Sequence, residues 1–431
     1  MIKNKVVSNA SWIVICRVVQ ALLSLVLTMF TARYLGPSDY GVINYAASLM
    51  AFVAPLVNLG LNNIMVQKLI ANPNDEGKII GTSIGIGVCS SLIGMIGMTS
   101  FAALMNPGER QTVIVCALYS ISLLFQNLEL IIYWYQAKLW AKYSAIVGLI
   151  AYLVISAYRV FLLITEKNVY WFSVSQSIDY AVIAFILLLL YKKKGGQHLS
   201  FSKFYVKDLL STGKYYILSN LMMTVFAQTD KLMIKPMLGA DATGLYAAAV
   251  TCASMTSFVF SAILDSARPI IFESKKVGRE KFERNMVRLY SAIIYLSLLQ
   301  CIVIALLSGF MIRIIYGNAY ELAIDALRII VWYTTFSYLG AVRNIWLLAE
   351  DKQKYLWSIN LSGAIANVFL NALMIPLWGI NGAAIASLIT QIFTNVIVGF
   401  VMKPIRYCNT LMLKALNPRY LVDMVKEFVD K

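Results

Sequence analysis

The sequence predicts an all-α integral membrane protein with twelve transmembrane helices in two parallel six-helix lobes. Three observations predict it. Of 431 residues, 60% are hydrophobic and 13% charged, whereas soluble domains carry about 25% charged residues. The apolar residues fall into twelve runs, each near the roughly 20 residues that a helix needs to cross a bilayer. The longest polar break follows the sixth run and divides them six and six.

The runs fall near 11–32, 42–66, 79–104, 112–135, 144–164, 171–191, 214–235, 243–268, 288–310, 325–347, 356–375 and 382–402. Lys3 and Lys5 precede a first run that is too long for a signal-peptide core and reads as a permanent span. Asn106-Pro107-Gly108 and Pro376-Leu377-Trp378-Gly379 are turn signals between spans. Residues 1–191 form the predicted N-terminal lobe, 192–213 a basic linker, 214–402 the C-terminal lobe and 403–431 a tail. The linker middle either lies flat on the membrane or is solvated. In the tail, Leu421, Met424, Val425 and Phe428 share one face of an amphipathic helix.

Charge placement sets the orientation. With the N-terminus inside, 26 of the 37 Lys and Arg fall on the cytoplasmic side and five on the other, the bias that orients helical membrane proteins. Both termini are therefore expected in the cytoplasm. The net charge of +16 is explained by an anionic lipid leaflet rather than nucleic acid. Six scattered cysteines without CxxC spacing and one histidine, His198, support neither a disulfide framework nor a metal site. No phosphate loop or catalytic constellation is present. No cofactor and no enzymatic activity are expected.

The halves repeat. LGPSDYGVINYAA (35–47) aligns with LGADATGLYAAAV (238–250) at an offset of 203, and AKLWAKY (137–143) with AEDKQKY (349–355) at 212. Each half has an even number of spans, so the repeats enter the membrane in the same sense. In transporters built this way the substrate site lies at the repeat interface.

Charges inside the spans mark the candidate site, because each costs about 2.5 to 3.5 kcal/mol at a helix centre. Span one carries a polar stripe through Arg17, Gln20, Ser24, Thr28 and Thr31; span seven carries Asn220, Thr224, Gln228, Lys231 and Lys235. Arg17, Lys231, Arg268 and Arg343, with Gln20, Asn220 and Gln228, are the candidate substrate-binding residues. Guanidinium and ammonium groups in a wet cavity favour a phosphate-bearing substrate. Glu129, Asp179, Asp230 and Asp265 are the candidate ion-coupling carboxylates. Arg159 and Arg328 complete the intramembrane cations, both close enough to span ends to snorkel. Neutral stripes on span two (Asn44, Ser48, Pro55, Asn58, Asn62), span eleven (Asn360, Gly363, Asn367, Asn371) and span twelve (Ser387, Gln391, Asn395) fit cavity lining or helix packing equally. Gly81, Gly85 and Gly87 read as close helix packing.

SNASWIVICRVVQALLSLVLTMFTARYLGPSDYGVINYAASL near the start, AQTDKLMIKPMLGADATGLYAAA and PLWGINGAAIASLIT together resemble bacterial polysaccharide flippases of the Wzx type, in the multidrug/oligosaccharidyl-lipid/polysaccharide exporter superfamily. The resemblance spans nearly the whole chain. It implies a V-shaped alternating-access transporter of the inner membrane that moves undecaprenyl-pyrophosphate-linked oligosaccharide units to the periplasmic leaflet. It further implies H+ or Na+ coupling and work alongside polymerase and chain-length proteins of O-antigen or capsule assembly. Arg17 and Lys231 match the cavity cations that would hold pyrophosphate. Twelve spans disfavour a lipid II flippase, for which fourteen are usual. A first span without carboxylate disfavours a multidrug antiporter.

Overall fold

A computed structural model describes residues 2–422; the side chains of residues 2–19, 21, 22, 141, 215, 219, 223 and 226 lie outside the description. The described residues are almost entirely helical and contain no strand. They divide into two compact units, Met1–Gln228 and Thr229–Lys431. The first contains α1 (Ile2–Val57), α2 (Leu61–Ala71), α3 (Glu76–Met105), α4 (Arg110–Leu128), α5 (Ile132–Ala137), α6 (Ala141–Ile164) and α7 (Val169–Lys193). The boundary falls within α8 (Lys203–Leu238). The second unit continues through α9 (Ala240–Ser254), α10 (Ser257–Val277), α11 (Arg279–Ile315), α12 (Ala323–Ala349) and α13 (Leu356–Ile392). A π-helical turn (Phe393–Ile397), α14 (Val398–Val401) and α15 (Arg406–Lys414) complete it. Of the predicted tail helix, Met424, Val425 and Phe428 lie outside the described residues.

Seven stretches are long and apolar enough to cross a membrane, and the bent pair α9 and α10 makes an eighth. Two of them, Leu23–Ala71 and Gln353–Val401, have 49 residues each, about 74 Å of helix against a core of roughly 30 Å. Each is interrupted between two predicted runs, at Gly36 (φ 69°) between runs one and two and at Gly379 (φ 57°) between runs eleven and twelve. α8 and α12 cover the predicted spans seven and ten without reaching that apolarity. Large apolar side chains such as Ile93, Ile96 and Leu104 of α3 and Leu306 and Phe310 of α11 face outward. Apolar surface on this scale suits lipid rather than water.

The repeat is written into the backbone. Residues with positive φ recur in matched pairs: Gly36 with Gly239, Gly108 with Gly317, Leu139 with Asp351, and Glu166 with Gly379. The Leu139 and Asp351 turns also share their bonds, since Trp140 N donates to Tyr135 O and Lys352 N to Leu347 O, both at 2.7 Å. Each unit buries an aromatic cluster near that turn. In the first, Trp134 meets Tyr135, Trp140 and Tyr191 edge-on, with centroids 5.0, 5.5 and 4.8 Å apart. In the second, fully buried Trp346 packs among Phe282, Tyr290 and Met412.

The linker is docked on its own unit. Gln197 Nε2 donates to Pro73 O at 2.9 Å, Gly77 N to Gln197 Oε1 at 3.0 Å, and Ser202 N to Thr82 Oγ1 at 2.9 Å. Tyr205 Oη donates to Asp75 Oδ2 at 2.8 Å, and Lys68 pairs with Asp208 at 2.6 Å. Gly81 and Gly85 therefore seat an extended strap rather than a helix. A Cβ on Gly81 would stand 2.5 Å from Ser200 O. Only Gly87 packs helix on helix, against Asn127 of α4.

Candidate functional site

In the second unit, three polar stripes converge on one carboxylate. Asp230 of α8 accepts from Asn371 Nδ2 at 2.7 Å and Asn367 Nδ2 at 3.3 Å on Oδ1. Its Oδ2 accepts from Tyr246 Oη and Ser387 Oγ. Asn367 and Asn371 stand one turn apart on α13, as their spacing requires, and Asn371 Nδ2 also reaches Asn367 Oδ1 at 3.1 Å. Ser387 follows the Gly379 break, so the two halves of α13 both reach the carboxylate. Asn371 Oδ1 is buried without a hydrogen-bond partner. Carboxylate, amide and hydroxyl oxygens together form a hard-oxygen donor set, the kind that suits a proton or a hard cation. The sequence supplied these stripes; that Asn367, Asn371, Ser387 and Tyr246 share one carboxylate is the structure's addition.

In the first unit, the stripe of span two meets that of span seven. Pro55, Asn58, Asn62, Asn220 and Thr224 line a cavity of about 300 Å³, at the lower end of the range for ligand pockets. Asn58 is buried and its Oδ1 has no hydrogen-bond partner. The helices approach closely at Gly60 and Gly213, where a Cβ on Gly213 would stand 2.2 Å from Leu59 O. Amides in such a cavity can both donate to and accept from hydroxyl groups.

The other predicted residues are dispersed. The side chain of Arg17 lies outside the described residues. Gln20 is half-buried, its amide facing Gly148 of α6. Gln228 and Lys231 are half-buried, while Lys235, expected at a span end, is only 1% exposed. Glu129 begins a 3-10 turn, Glu129–Ile131, between α4 and α5 and feels the charge of Asp179. Asp179 in turn feels Arg159, and its Oδ1 has no hydrogen-bond partner. Asp265 and Arg268 pair at 3.3 Å on the exposed face of α10, an arrangement that contributes little to stability.

Arg343 lies inside the second unit. It is 3% exposed and donates from Nη1 to Thr394 O at 2.8 Å. That carbonyl belongs to the π-helical turn, where the helical hydrogen-bond ladder is shifted. Its Nε is buried without a hydrogen-bond partner.

Long apolar helices with buried polar clusters between them make the chain a multi-pass membrane protein. The chain belongs to the polysaccharide biosynthesis protein family, whose model matches residues 6–275; the MatE model matches residues 216–373. A Shigella flexneri protein described as a "Putative O-antigen transporter" is 23% identical over 414 residues, covering 88% of this chain and 94% of its own. Among solved structures, the lipid II flippase MurJ in an inward closed conformation shares the fold with a TM-score of 0.75 at 14% identity, over 96% of this chain and 92% of its own. An inward-facing multidrug resistance transporter of the MATE family shares it with a TM-score of 0.70 at 14% identity, over 91% and 95%.

Proposed function

We propose that the protein carries undecaprenyl-pyrophosphate-linked oligosaccharide units from the cytoplasmic to the periplasmic leaflet of a bacterial inner membrane by alternating access, for O-antigen or capsule assembly. The observation that carries this reading is the amide-lined cavity of about 300 Å³ in a chain of the polysaccharide biosynthesis family. Its donors and acceptors complement sugar hydroxyls, and its volume excludes a whole repeat unit, so it grips one part of the glycan at a time. Asn220 contributes directly, with Gln228 further along the same stripe and Gln20 on the stripe of span one. Lys231 and Arg17 are assigned to the pyrophosphate, whose charge an intramembrane cation offsets.

Coupling is assigned to Asp230. Its four donors hold the carboxylate ready for one proton or one Na+, and rotation of the Asn367 and Asn371 amides would turn oxygens toward the ion. Glu129 and Asp179 are the second carboxylate pair in the first unit. The basic linker and tail face the cytoplasmic leaflet and its anionic lipids, and polymerase and chain-length proteins act on the exported unit.

A second reading, export of lipid II, is favoured by the likeness to the MurJ fold. Gene deletion tests both. Loss of surface polysaccharide with accumulation of lipid-linked repeat units supports the first reading, and accumulation of lipid II supports the second. Intact polymer together with increased sensitivity to cationic drugs would overturn both in favour of drug antiport.

A further inference from the structure

We infer that the first unit contains a separate subsite for a single carboxylate-bearing sugar, centred on Arg159. This rests on the reading of the protein as an exporter of lipid-linked saccharides and names one chemical feature of its cargo. The site is a cavity of about 170 Å³ lined by Thr31, Tyr40, Asn44, Tyr119, Arg159 and Ser175, among others. It lies at the end of the unit that carries the Gly36 break and the turn between α6 and α7. The amide-lined cavity lies at the end that carries the Gly60 turn.

The cavity is built. Ser175 Oγ donates to Phe172 O at 2.6 Å and accepts from Arg159 Nε at 3.3 Å and Nη2 at 3.2 Å. One edge of the guanidinium is thereby fixed, and Nη1 keeps no hydrogen-bond partner among the described residues. Asn44 Nδ2 donates to Tyr40 O at 2.9 Å, which fixes that amide too. Thr31 is only 9% exposed, yet its Oγ1 has no hydrogen-bond partner. A buried hydroxyl left unpaired is costly; Thr31 is part of the cavity wall, and rotation about its χ1 would bring the hydroxyl to a ligand that supplies the missing bond.

Size and charge define that ligand. A cavity of about 150 Å³ holds benzene; this one is of similar size but open to its surroundings, so it takes the carboxylate-bearing edge of one sugar ring while the rest of the ring lies at its mouth. Its lining sets hydroxyls, an amide and the guanidinium beside the apolar side chains of Ile43, Ala47 and Phe172, a mixture that suits the polar edge and the apolar face of a pyranose. Arg159 forms no ion pair among the described residues, and Asp179 senses it only at a distance. The site therefore offers one positive charge, which matches the single negative charge of a uronic acid better than the several charges of a pyrophosphate. The free Nη1 edge donates to the carboxylate, a charge-assisted bond stronger than one to a neutral hydroxyl.

The test is saturation-transfer NMR on the full chain in lipid nanodiscs with D-glucuronate, D-glucose and inorganic phosphate. The expected result is saturable glucuronate binding, about tenfold tighter than glucose. Arg159→Gln should erase that preference, and Thr31→Val should weaken both sugars. Thermal unfolding of each variant separates loss of the site from loss of the fold, and Thr31→Val stands alone if Arg159→Gln does not fold. Equal binding of the two sugars, no sugar binding, displacement by phosphate at equal concentration, or a preference that survives Arg159→Gln would each overturn the proposal. Binding is read without transport, so these outcomes leave the export reading standing. Conversely, bound glucuronate in a protein whose deletion leaves polymer intact would remove the export reading alone.

Discussion

Lys138 Nζ lies 2.5 Å from Glu76 Oε1, and at Lys138's place in the second unit stands Glu350, paired with Lys275. The two turns are superposable in kind: Leu139 and Asp351 follow with φ of 59° and 54°. Glu76 and Arg279 each open their helix, and Arg279 Nη1 also reaches Glu350, at 3.4 Å. The repeat has kept the ion pair and exchanged its signs. In the first unit the polarity also suits the helix ends, Glu76 at the start of α3 and Lys138 at the end of α5; in the second it opposes them, so there each charge is held by its partner.

Reversing Glu76 or Lys138 alone should therefore destabilise the first unit by about 1 to 3 kcal/mol, since Glu76 is buried and Lys138 partly exposed. The double reversal, Glu76→Lys with Lys138→Glu, should recover about half. The remainder belongs to Trp134, whose Nε1 donates to Glu76 Oε2 at 2.7 Å and which a lysine cannot satisfy. Thermal unfolding of the four proteins checks this; a double variant as unstable as the sum of the singles removes the pairing argument.

Asp230→Asn should leave the protein in the membrane but slow export by about tenfold or more and abolish its ion dependence. Oδ2 accepts two hydroxyl protons, from Tyr246 and Ser387. An amide NH2 in its place donates toward both, and an amide oxygen there leaves Asn371 facing another NH2. The readout is transport into vesicles at varied pH and sodium. Unchanged ion dependence would reduce Asp230 to a packing residue.

Much of this was legible in the sequence, and the gaps have one cause. Apolar runs and Gly-Pro signals located the helices and their breaks, and the aligned glycines Gly36 and Gly239 turned out to share a left-handed backbone. Periodicity says which residues share a face but not what that face meets. The stripe of Asn367 and Asn371 could have packed on any small residue, yet it meets Asp230. Arg343 is a lone cation in the middle of an apolar run, and the sequence could not say that its guanidinium would donate to a carbonyl of a π-helical turn. The spacing of Gly81 and Gly85 announced close approach and could not say that the approaching chain would be extended.

That close approach makes a sharp prediction. A side chain at Gly81 would collide with Ser200 O and N, at 2.5 and 2.7 Å from Cβ, and both are backbone atoms that cannot rotate aside. Gly81→Val should undock the strap and raise trypsin cleavage around Lys203 and Lys207 by about tenfold, since cleavage tracks the open population. Gly97→Ala is the control, because its Cβ would meet open space. Equal digestion of both variants would mean that the strap holds without the glycine seat.

Tyr205 anchors the same strap and ties it to pH. Burial, reinforced by the hydrogen bond to the Asp75 carboxylate, pushes its phenol up to about 12, against about 10 when free. A folded-state value raised in this way means that the contribution to docking is complete below pH 10 and is lost as pH rises toward 12. The strap should hold unchanged from neutral pH to about 10. A tyrosinate titration of the wild type minus Tyr205→Phe should then show one group with a midpoint near 12. A difference curve centred near 10 would mean that Tyr205 is hydrated and that the bond to Asp75 does not hold the linker down.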